Sequence, residues 1–228
     1  MALYAIADLH FSFSANKSMD IFEGWENYVY RLKENWISKI TEKDTVVIAG
    51  DISWAPSLKK SFEDFYFLES LPGKKIIMRG NHDYWWSTRK KVETFFKNKN
   101  FMTLELLHNS AHKVENYAIC GTRGWLIKPK SFKDEKIISR EILRLKFSIN
   151  LALKISSEPI VFFHFPPIFV SEVSEEILGV LIENGIKRCF YGHVHSKDAE
   201  NKAFSGNYKG IEFKLISADM VNFEPIKI

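Results

Sequence analysis

Seven short apolar runs rich in β-branched or aromatic residues recur along the chain: LYAIA at 3–7, TVVIA at 45–49, KKIIM at 74–78, NYAIC at 116–120, PIVFF at 159–163, KRCFY at 187–191 and IEFKLIS at 211–217. Continuous apolar runs of this length suit strands that are covered on both faces. Helical spacing fills the stretches at roughly 25–40, 57–70, 88–98, 133–155 and 171–183. It is clearest in the fourth, where Ile138, Ile142, Leu145, Ile149 and Leu153 fall on one face. Strands alternating with helices predict the α/β class, a sheet covered by helices. Between 101 and 121 the β-like sequence runs on without a helix, which predicts an antiparallel portion or a second sheet. A chain of 228 residues with no internal repeat and no Pro/Gly/Ser-rich linker reads as a single domain over 1–228 with a sizeable core.

Composition excludes several classes. Hydrophobic residues at 46% and charged residues at 26% are ordinary globular values, which argues against disordered and fibrous chains. A net charge of +4 helps attract an anionic substrate but falls short of the dense basic runs of a dedicated nucleic-acid binder, so nucleic acid is not the expected partner. Cys120 and Cys189 each lie in a strand-like run without CxxC spacing and read as small core residues in a reducing compartment. No apolar stretch approaches the roughly 20 residues of a membrane span. The start, MALYAIADLH, lacks a basic n-region and is broken by Asp8, so it does not read as a signal peptide. A cytoplasmic enzyme is the expectation.

The residues that follow the strands carry the chemistry. After LYAIA comes Asp8-Leu9-His10; after TVVIA, Gly50-Asp51; after KKIIMR, Gly80-Asn81-His82-Asp83; after PIVFF, His164; after KRCFY, Gly192-His193-Val194-His195. In an α/β sheet the loops beyond the carboxyl ends of the strands form the ligand crevice, so these residues are expected to converge. Five of the seven histidines fall in this pattern; His108 and His112 lie outside it and read as surface residues. Carboxylate, imidazole and amide without thiolate form a ligand set for hard-to-borderline divalent ions. Pairs at i, i+2 project from one side of an extended segment, which lets a short loop grip a cation. Seven ligands exceed one tetrahedral site and suit two ions that share a carboxylate.

This ordered set of blocks, from Asp8-x-His10 to Gly192-His193-x-His195, resembles the calcineurin-like metallophosphoesterase superfamily. Within it, DLHFSF, GWENY, GDISWA and GNHDYWW resemble a branch of bacterial predicted phosphohydrolases. The resemblance implies a four-layer sandwich of two mixed β-sheets flanked by helices. It also implies a binuclear centre in which Asp8, His10, Asp51 and His195 hold one ion and Asp51, Asn81, His164 and His193 the other. Manganese is the foremost candidate, with iron, zinc or cobalt as alternatives. The implied reaction is hydrolysis of a phosphate mono- or diester by in-line attack of a metal-bridging hydroxide, on a small phosphorylated or nucleotide-like substrate. His82 would act as general acid, because an imidazole exchanges its proton near neutrality. Asp83 would orient it.

Bland readings stand beside these. Gly80-Asn81 is a common turn pair, Gly50-Asp51 can open a helix and a lone His164 is usually a satisfied polar residue; their joint occurrence favours the site. Trp54, Tyr84, Trp85 and Trp86 either stack a substrate ring or prop the metal loops, with propping favoured. Arg123, after the strand NYAIC, is a candidate grip for a phosphate oxygen, with a surface pair as its alternative. The polar loop 11–20 is expected at the rim of the site. Three rivals remain: a metal-free phosphoesterase-fold scaffold, a nuclease, and a lipid-precursor pyrophosphatase of the superfamily. That last group has an arginine where this chain has His82.

Overall fold

The computed structural model describes residues 1–196 and 201–228. Contacts divide the chain into two compact units, residues 1–106 with 217–228, and residues 107–216.

The first unit is built on a five-stranded sheet. Strands β1 (Leu3–Ile6), β2 (Thr45–Ile48), β3 (Lys74–Ile77) and β4 (Leu104–Leu106) run parallel to their neighbours, and the short β11 (Ile226–Lys227) pairs antiparallel with β1, giving the order β11-β1-β2-β3-β4. All four residues of β2 are buried, as a central parallel strand requires. Three helices, α1 (Tyr28–Lys39), α2 (Phe62–Ser70) and α3 (Arg89–Asn98), bury Leu32 and Trp36, Phe65 and Leu68, and Val92 and Phe96 in one cluster with Ile6, Val46, Ile48 and Ile77. Helix α3 starts where Thr88 accepts the Lys91 N–H through its side chain. Helix α2 starts later than expected: residues 57–61 form turns, with Ser61 Oγ bonded to the Leu58 carbonyl.

The second unit carries six strands in the order β5-β6-β7-β8-β10-β9: β5 (His112–Val114), β6 (Tyr117–Thr122), β7 (Pro159–Phe163), β8 (Arg188–Tyr191), β9 (Gly206–Tyr208) and β10 (Ile211–Leu215). The central four are parallel and the edges β5 and β9 antiparallel. Pro159 opens β7, the one position where its missing N–H is harmless. In β10, burial alternates along IEFKL, so one face of that strand is solvated. Helix α4 (Phe132–Leu153) begins at Ser131, whose side chain accepts the Asp134 N–H while Asp134 takes the Ser131 hydroxyl in return. Helix α5 (Glu175–Glu183) completes the unit.

The two mixed sheets with flanking helices agree with the expected fold class. The helix-free region 101–121 divides as its sequence suggested, β4 joining one sheet and β5 forming an antiparallel edge of the other. On α4 the buried face is Glu141, Leu145, Ser148, Ile149 and Ala152; Leu153 is exposed. The polar residues on this face are paired. Glu141 receives the Thr122 hydroxyl and the Arg144 guanidinium, and Ser148 bridges Gly121 N–H and the Ser110 carbonyl. Cys120 and Cys189 are buried free thiols whose titration burial pushes well up, so they serve as inert core residues. Among the described residues no helix is long and apolar enough to cross a membrane.

Candidate metal centre

In the first unit, the ladder between β1 and β2 continues past both strands. Asp8 N–H donates to the Gly50 carbonyl at 2.9 Å and His10 N–H to the Asp51 carbonyl at 2.9 Å, so the two loops leave the sheet in register. Asp8, His10 and Asp51 have left-handed backbones, at φ 62°, 47° and 52°. Each such residue costs on the order of 1–2 kcal/mol in a non-glycine. Three such residues thus follow the ends of β1 and β2, at the positions of the expected ligands.

Asp51 is the hub. Its Oδ1 accepts the His82 N–H at 2.7 Å, and its Oδ2 lies 3.8 Å from His10 Nε2, too far for a hydrogen bond. Two donors each about 2.0–2.2 Å from one ion stand roughly 3–4 Å apart, so this spacing fits a shared cation. Asp8, His10 and Asp51 are buried; Asn81 and His82 are half-buried. Gly80 is obligatory, since a Cβ there would lie 2.0 Å from Asp51 Oδ1 and 2.3 Å from Asp51 N.

Asp83 does something other than orient His82. Its carboxylate accepts the N–H groups of Asp51 (2.9 Å), Ile52 (2.8 Å), Ser53 (3.2 Å) and Gly80 (2.6 Å) together with Trp85 Nε1 (2.8 Å), and it makes no bond to the His82 ring. Burial pushes this carboxyl upward against the pull of those donors. Asp83 therefore joins the Asp51 loop to the Gly80 loop. The expected orienting role is corrected: Tyr84 Oη stands 3.2 Å from His82 Nδ1, and the Trp54 ring lies 4.3 Å from the His82 ring.

The aromatics separate by role. Trp85 is core, edge-on to Phe65 at 4.7 Å. Trp54 stacks on His10 at 4.9 Å and 22°, and Trp25 meets the same imidazole edge-on at 5.9 Å. Tyr28 Oη donates to the His10 carbonyl at 2.9 Å, and burial pushes its phenol up, which keeps the proton in place. Trp25 and Tyr28 fall in the GWENY block of the sequence resemblance, which assigned them no role. Tyr84 is exposed.

The second unit carries His164, His193 and His195. His164 follows β7 directly and is fully buried; His193, in the left-handed region at φ 72°, and His195 follow β8 and are half-buried. The His164 and Phe165 N–H groups share the Arg123 carbonyl at 3.2 and 2.8 Å, and Gly192 N–H reaches the His164 carbonyl at 3.2 Å, tying the ends of β6, β7 and β8 together. The His164 and His193 rings are 5.1 Å apart, with Phe165 packed on His193 at 4.3 Å. Arg123 lies over the Trp125 ring at 4.6 Å. Among the described residues of this unit, no buried carboxylate knits these loops in the way Asp83 does.

The sequence profile of the calcineurin-like phosphoesterase family matches residues 1–197. No sequence among curated proteins matches. Solved structures share the fold at low identity. A protein of unknown function from Aquifex aeolicus, AQ665, is 17% identical with a TM-score of 0.52, over 99% of this chain and 95% of that one. TT1561 of Thermus thermophilus is 12% identical with a TM-score of 0.55, over 86% and 82%. GAP50, the anchor in the inner membrane complex of Plasmodium, is 13% identical with a TM-score of 0.57, over 96% and 72%. With its profile match covering most of the sequence, the chain belongs to the calcineurin-like phosphoesterase family.

Proposed function

We propose that this chain is a binuclear metal-dependent phosphohydrolase, cytoplasmic, acting on a phosphate mono- or diester, and that its two units work as one domain. The family profile runs through both units, which supports the single-domain reading. Asp8, His10 and His195 form one candidate ligand group and Asp51, His164 and His193 the other; in this proposal Asp51 is shared by both ions and Asn81 completes the second. All donors are oxygen or nitrogen, which fits manganese first and iron, zinc or cobalt after it. A pair of such ions acidifies water and offsets charge on the phosphoryl oxygens.

The observation that carries this reading is the Asp51 carboxylate, with one oxygen facing His10 and the other fixed by the His82 N–H. That bond sets where the His82 backbone stands. Trp54 and Tyr84 then fix the ring, so that its far nitrogen can give a proton to the leaving oxygen as the P–O bond breaks and water attacks in line. Arg123, stacked on Trp125, would offer its fork to a non-bridging phosphoryl oxygen.

The test is a metal-resolved assay of p-nitrophenyl phosphate and bis-p-nitrophenyl phosphate hydrolysis. Turnover with manganese supports the proposal; no turnover with any of the four metals, and no metal retained, favours the scaffold reading. His82→Ala is expected to keep the metals and to slow esters with poor leaving groups by about 100-fold more than p-nitrophenyl esters. Equal losses on both would remove the acid role.

A further inference from the structure

Lys17 stands in the loop before α1, exposed, with its Nζ 4.8 Å from the centre of the Trp54 ring and 5.8 Å from that of Tyr84. These are the two rings that hold His82, so the ammonium is one ring away from the group assigned to the leaving oxygen. The loop that carries it is pinned on both sides. Phe13 N–H donates to buried Asp64, which also takes the Ser53 hydroxyl, and Ser18 accepts the Asp20 N–H where the turn at Met19–Ile21 begins.

A surface lysine normally finds a carboxylate or extends into water. This one has no carboxylate partner among the described residues, and its ammonium lies over the faces of two aromatic rings instead. Ring faces steady an ammonium without neutralising it, and they leave its N–H donors free for an anion. Trp54 Nε1 adds a buried donor with no acceptor among the described residues. The result is a charged, positioned donor beside the leaving-group side of the site.

We propose that Lys17 is a specificity-determining residue that binds a second anionic group, carried on the leaving group of the substrate. The inference rests on the phosphohydrolase reading and narrows it: the substrate class is a phosphoester whose alcohol bears its own carboxylate or phosphate, and Trp54 and Tyr84 act by holding Lys17 in place. A neutral alcohol leaving group gains nothing from this residue.

Two non-hydrolysable phosphonates of matched length, 4-phosphonobutanoate and 4-hydroxybutylphosphonate, separate the charge effect from turnover. Titrated calorimetrically into the manganese-loaded protein, the first should bind about ten-fold more tightly, the size of one charge-assisted hydrogen bond. Lys17→Gln should erase that difference while leaving affinity for 4-hydroxybutylphosphonate within two-fold, and Lys17→Arg should keep most of it. Equal binding of the two by the wild-type protein, a preference that survives Lys17→Gln, or no binding of either overturns the assignment. Because binding is read without catalysis, a protein that prefers 4-phosphonobutanoate yet hydrolyses no ester loses the hydrolase reading and keeps Lys17. One that turns over p-nitrophenyl phosphate without the preference does the reverse.

Discussion

The two units hold their candidate ligands by different physics. In the first, one buried carboxylate, Asp83, collects four backbone N–H groups and an indole N–H and so locks the Asp51 and Gly80 loops to each other. In the second, the His164 N–H shares the Arg123 carbonyl with the Phe165 N–H, and the His193 ring packs against Phe165. A hydrogen-bonded hub is directional and fails as a whole when its acceptor is lost, whereas ring packing tolerates a change of shape. The candidate ligands of the first unit should therefore be brittle to substitution and those of the second forgiving.

The largest effect should come from Gly80→Ala. A methyl group 2.0 Å from Asp51 Oδ1 cannot be relieved without moving the loop or the ligand. Urea unfolding should show a loss of about 3 kcal/mol, and metal retention on gel filtration should fall with it. Asp83→Asn comes next: the amide turns one acceptor oxygen into a donor facing N–H groups. Metal affinity, measured by competition with a chelating dye, should fall about 10- to 100-fold. Phe165→Leu, its counterpart in the second unit, should cost no more than about three-fold in the same assay, in line with a conservative core change. Comparable losses for the two variants would break the contrast between a hub and a packed ring pair.

The smallest effect concerns Lys75 of β3, fully buried, with Nζ bonded to the Leu71 carbonyl and to Thr103 Oγ1. Burial lowers its pKa to about 8. Between about 8 and the ordinary lysine value, the unfolded chain binds a proton that the folded chain has released. This group's contribution to stability therefore rises with pH across that window, and below it the folded chain carries the full cost of the buried charge. Relative to Lys75→Met, wild-type unfolding midpoints in urea should improve between pH 7.5 and pH 10. A difference that stays flat would mean that the lysine titrates as it does in water.

Much of this was legible in the sequence because the signals were local. Each of the seven apolar runs overlaps a strand of the structure, with β6 running two residues past NYAIC, and the polar residues that follow five of them lie at the strand ends. Runs of two or three residues such as β9 and β11 were missed, since their pairing with a neighbour supplies what their own pattern lacks. The role of Asp83 was misread because adjacency to His82 in sequence suggested contact, while its partners lie 30–32 residues earlier as well as nearby. Trp25, Tyr28 and Lys17 act through rings and carbonyls distant in sequence, and no spacing announces such contacts. The aromatic cluster at 84–86 resolved only in three dimensions: Trp85 goes into the core, and Tyr84 out beside His82.

The proposed binuclear centre requires Asp51 as its shared ligand. Manganese content of the purified protein, measured by plasma mass spectrometry on wild type and Asp51→Ala after equilibration with a limiting chelator, tests this most directly. Two ions per wild-type chain and essentially none in the variant are expected. A variant that keeps one full ion, or a wild-type chain that holds only one, would contradict a shared aspartate.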